Sequence, residues 1–311
     1  MRERSITRDI QKLVWISLAT LAAVCIIFLA KQLFENSMSN EALAKQNLLD
    51  EVYRVETEFL GARRAEKDFL LRLDAKYIDR HAGIAQKMTA DLETIEAHTD
   101  GLLDADLSAE VAGLRVAVEQ YVQRFAALVA SNLSLGLDEE SGLQGSLRSA
   151  VKTAETSLNE FENPILQVKM LMMRRHEKDF IMRGGQKYVD RLNTRVSEFR
   201  EFPSQFYPST EVQAQVLALM ADYQTAFNEY AAVYAEEKKA REAVSAAFAD
   251  AEPLLETIRG VIEEEVAATR KTAETVSSAV LICSSLAVLV TAWMFYGWAT
   301  RVSRRIVKPW H

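Results

Sequence analysis

Arg63-Arg64-Ala65-Glu66-Lys67-Asp68-Phe69-Leu70-Leu71-Arg72 is answered by Arg174-Arg175-His176-Glu177-Lys178-Asp179-Phe180-Ile181-Met182-Arg183, at a constant register of 111 residues. The register persists beyond the motif. Lys76, Tyr77, Asp79 and Arg80 recur as Lys187, Tyr188, Asp190 and Arg191. A fixed period of this size marks a duplicated structural unit. Within the first copy, Leu48, Val52, Val55, Phe59, Ala62, Glu66, Phe69 and Leu73 are spaced four and three apart, as are Leu166, Met170, Met173, Glu177 and Phe180 in the second. That rhythm predicts helices burying one narrow face in a bundle. In both copies a glutamate takes a position that the rhythm reserves for an apolar side chain. A buried carboxylate is costly unless paired, so Arg63, Arg64, Arg174 and Arg175 are its candidate partners.

Working outward, the composition agrees with helices. The 311 residues include five prolines and eleven glycines, with 49% hydrophobic and 26% charged. No stretch shows strand alternation. The last long helix has a core face of Val216, Met220, Tyr223, Phe227, Tyr230, Tyr234, Glu237, Arg241, Val244, Phe248, Ala251, Leu255, Ile258 and Ile262. Breaks are expected after Leu73, at Thr99-Asp100-Gly101, at Gly184-Gly185 and between Pro203 and Pro208. Asp104 or Asp106 is a candidate cap for the third helix. Asn163-Pro164 opens the fourth, with proline in its first turn. Gly136, Gly142 and Gly145 mark a bend in the third helix, or a place where another group approaches. Pro253 is a candidate kink.

Two apolar runs are near the ~20 residues that span a bilayer. The domain reading is a cytoplasmic N-terminus at 1–12, a membrane helix at 13–33, an exported region at 34–275, a second membrane helix at 276–300 and a cytoplasmic end at 301–311. The first run reads as an uncleaved anchor rather than a signal peptide, because its apolar core is long and no small-x-small site follows. Arg2, Arg4, Arg8 and Lys12 precede it, and Arg301, Arg304, Arg305 and Lys308 follow the second run, so both termini are expected in the cytoplasm. Between those flanks lie 29 of the 37 Lys and Arg and 42 of the 44 Asp and Glu, a net charge of −13. An exported region this acidic does not read as nucleic-acid binding. Cys25 and Cys283 lie at different depths in the two runs, by ~7 Å in antiparallel helices. A disulfide between them is not expected.

Folded on paper, the soluble part gives an all-α fold of two stacked four-helix bundles, made from six helices of which two span both bundles. This path puts the turns near Gly101 and Phe206 at one end and the turn at 158–163 at the membrane end. The first and second helices rise together, as do the fourth and fifth. Glu66 then stands level with Glu177, and Arg148 level with Arg241, just on the membrane side of the junction.

The duplicated Arg-Arg-x-Glu-Lys-Asp-Phe-x-x-Arg resembles the helical bimodular sensor domain of bacterial methyl-accepting chemotaxis receptors and sensor kinases. Gly142-Leu143-Gln144-Gly145-Ser146-Leu147-Arg148-Ser149-Ala150-Val151 resembles the glycine-rich stretch of that family. The resemblance covers about residues 35–275. Arg304-Arg305-Ile306-Val307-Lys308-Pro309 resembles the first residues of a HAMP linker, or is simply a basic stop-transfer end. The resemblance implies a periplasmic receptor region in the inner membrane, working as a homodimer. It implies a small organic acid bound in the membrane-proximal bundle, held by arginines on the first and last long helices. Arg63 or Arg64 is the first-helix match and Arg241 the last-helix match. No signalling module follows in this sequence, which reads either as the sensory part of a longer receptor or as a natural truncation.

From the residues themselves, Arg148 and Arg241 are the sharpest site candidates, since guanidinium forks match carboxylates. Tyr234 stands near Arg241 as a hydroxyl donor or stacking partner. The opposing reading pairs Arg241 with Glu237 at i−4, and Arg148 with Glu155 or Glu58. Glu66, Glu177, Arg174, Arg175 and Glu237 read as a structural polar layer, because a buried carboxylate repels an acidic guest. The histidines show no metal spacing, and no catalytic motif or cofactor box is present. The expected function is a transmembrane sensor rather than an enzyme. The competing expectation is a membrane-anchored helical rod without a ligand.

Overall fold

The computed structural model describes residues 2–307 except Asp100, Asp104 and Glu162, and leaves out the side chains at 2–6, Asp9, Leu13, Ile16 and 302–307. The flanking side chains of Arg2, Arg4, Arg304, Arg305 and Lys308, the HAMP-like residues and the candidate cap Asp104 therefore lie outside the described residues. Seven α-helices are present among the described residues, and no strand: α1 Arg2–Arg72, α2 Lys76–Thr99, α3 Ser108–Leu135, α4 Gly142–Asn159, α5 Pro164–Arg183, α6 Gln186–Glu201 and α7 Thr210–Val307. A short 3-10 turn covers Ser204–Phe206.

The extra helix comes from the glycine-rich stretch. It is a closed loop between α3 and α4 and not a bend in one helix. Gly136 takes φ 108, and a side chain there would collide with the Ser141 carbonyl. Asp138 Oδ1 accepts from the backbone N–H groups of Glu140 and Ser141 at 2.9 and 2.8 Å. The group that approaches those glycines is the loop's own backbone. Pro253 leaves α7 assigned as one helix.

The chain divides into two units. One holds residues 1–53, 95–108 and 257–311. Here α1 and α7 each contain a stretch long and apolar enough to cross a membrane. Leu18, Leu21, Ile26 and Leu29 on α1, and Leu286, Leu289 and Trp293 on α7, stand exposed. Contiguous exposed apolar surface on this scale marks a face that meets a membrane or another protein. Cys25 and Cys283 are free. Lys45, buried between the two helices, pairs with Glu41 and Glu265, each at 3.1 Å. The Gly101 turn also belongs here, with the Ala105 N–H on Glu265 Oε1 at 2.7 Å.

The other unit, residues 54–94 and 109–256, holds both copies of the motif. Its path differs from the paper fold. Leu73 takes a left-handed φ of 50° and Asp74 accepts from the Lys76 N–H at 3.0 Å. Together they reverse the chain, so α2 runs back along α1, with Asp91 beside Arg54 at 3.6 Å. Gly184, at φ 63°, makes the same reversal between α5 and α6. The first and second helices therefore do not rise together, and neither do the fourth and fifth. The Phe206 turn sits against Phe161 and Asn163, which the paper fold put at the opposite end. Asn163 Nδ2 donates to the Phe206 carbonyl at 2.8 Å, and the Phe161 and Tyr207 rings lie 6.3 Å apart.

Two groups of core side chains result. Leu147, Val151, Leu166, Met170, Leu192, Phe199, Val216 and Met220 belong to one cluster drawn from α4 to α7. Phe59, Phe69, His81, Tyr121, Phe125 and Phe248 make ring contacts among α1, α2, α3 and α7. The structure also exposes a second part of the duplication. Leu114, Val118, Tyr121, Phe125, Leu128 and Val129 on α3 correspond to Val216, Met220, Tyr223, Phe227, Tyr230 and Ala231 on α7, at a register of 102. All twelve are buried. The register changes because α6, with 16 residues, is shorter than α2, with 24.

Candidate functional site

Each duplicated glutamate is the centre of the same three-residue arrangement. Glu66 is fully buried. Arg63, one turn before it, donates through Nη1 to both carboxylate oxygens at 2.8 and 2.6 Å, and the Tyr121 hydroxyl donates to Oε2 at 3.1 Å. Glu177 receives Arg174 Nη1 on both oxygens at 2.6 Å and the Tyr223 hydroxyl at 2.5 Å. Helical spacing of three residues brings each arginine over its glutamate. Burial, reinforced by the neighbouring carboxylate, pushes both tyrosines far above the usual phenol range. They stay protonated and keep donating. The carboxylates are thus paired and bonded, as burial requires. Sequence reading found the arginines but missed Tyr121 and Tyr223. The signal available was their shared place in the 102-residue register.

The two glutamates are not level. Through Arg63, Glu66 is linked to Ser245, whereas Glu177 meets Tyr223. Those two α7 positions lie ~33 Å apart along the helix. Of the adjacent arginines, Arg64 and Arg175 stand exposed. Neither joins the buried layer that the sequence assigned to Arg175.

Arg148 and Arg241 are not brought together. Arg148 is exposed and pairs with Glu139 of the glycine loop at 3.0 Å. It opens on a groove of about 340 Å³ that is also lined by Gln144, Arg174, Lys178 and Ile181. Glu155, one of its expected partners, is taken by Arg174 Nε at 3.1 Å. Arg241 is half-exposed, not a core residue, and bonds Glu237 Oε1 through Nε and Nη2 at 3.1 and 2.5 Å. Glu237 is buried, and Asn132 stands 3.5 Å from its Oε1. Tyr234 packs on the α5 cap. A Cβ at Gly184 would come within 2.7 Å of its ring.

The structure does join α1 to α7 near Arg241. Arg63 Nη2 donates to Ser245 Oγ at 2.9 Å, and its guanidinium lies 4.7 Å over the Phe248 ring. Ser245 is one helical turn from Arg241. Beside this contact, His81 stacks on Phe125 at 3.9 Å. Burial drops its pKa to about 4, and its Nε2 has no hydrogen-bond partner. Among the described residues no group of His, Cys, Asp and Glu is arranged to hold a metal ion. No family model, no curated protein and no solved structure matches the chain.

Proposed function

We propose that this chain is the sensory region of a membrane-anchored receptor, with residues 34–275 outside the cell membrane as two stacked helical bundles. A small carboxylate binds between Arg63 on α1 and Arg241 on α7. The resemblance adds that two copies work side by side. The observation that carries the reading is the Arg63–Ser245 contact of 2.9 Å, one turn from Arg241. It ties together the two helices that also hold the apolar stretches.

A guest can enter without stranding a buried charge. Arg63 holds Glu66 through Nη1, so only its Nη2 bond to Ser245 needs to yield. Arg241 holds Glu237 through Nε and Nη2, and a guanidinium has five N–H donors to share. A carboxylate on both forks would draw α1 and α7 into one arrangement. A ligand shifts such an equilibrium only by its differential affinity for the two states. Helix displacements of ~1–2 Å are enough to carry a signal.

The second reading is a helical rod or tether without a ligand. It is favoured by a specific observation: Arg63, Arg148, Arg174 and Arg241 each already hold a glutamate. Thermal melting of the full chain in nanodiscs, with mono- and dicarboxylic acids, aromatic acids and amines, separates the two. The receptor reading expects at least one acid to stabilise the chain, by ~2.7 kcal/mol at a hundredfold excess over Kd, and the amines to do nothing. A panel with no stabilising acid leaves the rod.

A further inference from the structure

The antiparallel pair α5–α6 carries a cluster that the receptor reading does not use. Lys169 and Glu198 form an ion pair between these helices, which sets the register. With residue 169 opposite 198, His176 falls opposite Arg191 and one turn from Arg195. His176 Nδ1 and Arg195 Nε are both shut off from solvent, and neither has a hydrogen-bond partner. Buried donors are almost always satisfied, so two orphans at one place call for an explanation.

The local charge is also uneven. Glu198 serves Lys169 and Arg195 together, and Asp179 is held by Arg183. Arg175 and Arg191 have no carboxylate partner among the described residues. Arg191 stacks over the Tyr188 ring at 5.9 Å, which leaves its N–H groups uncommitted. Burial, together with Arg191 and Arg195, holds the His176 pKa below the ordinary histidine range, with Asp179 opposing. A neutral imidazole can present Nδ1–H as a donor.

We infer that His176, Arg191 and Arg195, with Arg175 at the edge, form a site for a phosphate-type oxyanion. Guanidinium forks bind such anions in bidentate fashion. A dianionic phosphate would balance the two uncommitted arginines, and its several oxygens would satisfy both orphan donors. The first copy of the repeat is a built-in control. Arg64 and Arg80 match Arg175 and Arg191, but Ala65 and Ile84 stand in place of His176 and Arg195. Ile84 packs toward Gly61, 3.6 Å from where a Cβ would stand. The arginine pair is common to both copies, whereas the His176–Arg195 pair of orphan donors beside it belongs to the second; the orphan His81 Nε2 of the first copy stands elsewhere, against Phe125. The anion is free phosphate or a soluble phosphate monoester, since the recognising chemistry is the same.

The test uses the full chain in nanodiscs of zwitterionic lipid, titrated with inorganic phosphate at constant ionic strength and followed by thermal melting. Phosphate should raise Tm, and chloride should not. Arg191→Gln, at an exposed position outside any salt bridge, should keep the phosphate-free Tm and weaken phosphate binding roughly tenfold or more. Arg80→Gln in the first copy should leave phosphate binding intact. A second arm replaces inorganic phosphate with glycerol phosphate, a soluble phosphate monoester. A gain confined to that arm and lost in Arg191→Gln assigns the site to a phosphate monoester. No phosphate-dependent gain in either arm, or an equal gain in Arg191→Gln, overturns the site.

Discussion

Arg63 reaches beyond its glutamate to Ser245 and the Phe248 ring on α7, whereas its counterpart Arg174 reaches Glu155 on α4. The arginine, glutamate and tyrosine are the same in both copies, and the fourth partner is not. What the copies share is therefore scaffold: a buried carboxylate held by one fork and one phenol. What they do not share is the set of further contacts that each copy makes. In the first copy the difference is a tie between the two long helices and a buried histidine. In the second it is a groove beside Arg148 and the His176–Arg195 cluster.

The largest effect should come from removing the shared fork. Arg174→Met leaves a buried carboxylate uncompensated and should cost ~3–5 kcal/mol. Arg63→Met should cost less, because Lys67 stands 3.1 Å from Glu66 while Lys178 is 4.0 Å from Glu177. Urea denaturation of the full chain in detergent measures both. Equal costs would break the comparison at this point.

The next effect is in pH. His81 has a folded pKa of about 4, below its unfolded value of 6.5. The unfolded chain then binds the extra proton first. The His81 contribution to stability is full above pH 6.5, falls as pH drops toward 4, and changes no further below that. The loss is up to about 3 kcal/mol. The second copy has Leu192 at the corresponding position. His81→Leu should flatten this part of the curve, measured as Tm between pH 4 and 7.

The smallest effect concerns the hairpin turns, Leu73 at φ 50° and Gly184 at φ 63°. Gly184→Leu imports the residue of the first copy into a left-handed position against Tyr234 and should cost ~1–3 kcal/mol. Leu73→Gly relieves that strain but gives up a half-buried side chain, so its effect should stay within about 1 kcal/mol. Thermal melts distinguish them, and a destabilising Leu73→Gly would mean that the leucine does more than turn the chain.

Much of the fold was legible because helical burial writes itself into spacing. The start of α5 at Pro164 was legible in Asn163-Pro164, and the turn before α7 in the Pro203 and Pro208 that bracket it. The chain reversal at Leu73 was not, since a leucine in a left-handed turn leaves no residue-level signature of the kind that Gly184 provides. Taking Leu73 as a small break sent α2 the wrong way and set Glu66 level with Glu177. The glycines of the α3–α4 loop leave a bend and a close approach equally open in the sequence, because periodicity does not encode the local backbone contacts that they serve. At the candidate site, Glu66, Glu177 and Arg241 are visible as charges in an apolar rhythm, and Arg63 as the neighbour one turn before Glu66. Tyr121 and Tyr223 looked like ordinary core, because a phenol buries its ring whether or not its hydroxyl has work. Arg148 and Arg241 were paired only through the misplaced levels.

The most direct measurement is isothermal titration of the most stabilising acid into the wild-type chain, Arg241→Gln and Arg148→Gln. Binding to the wild type, at least tenfold weaker binding to Arg241→Gln as expected for a lost charge-assisted pair, and unchanged binding to Arg148→Gln is the predicted result. Equal binding to wild type and Arg241→Gln, or no acid that binds at all, would contradict the assignment of the α1–α7 arginines to a ligand.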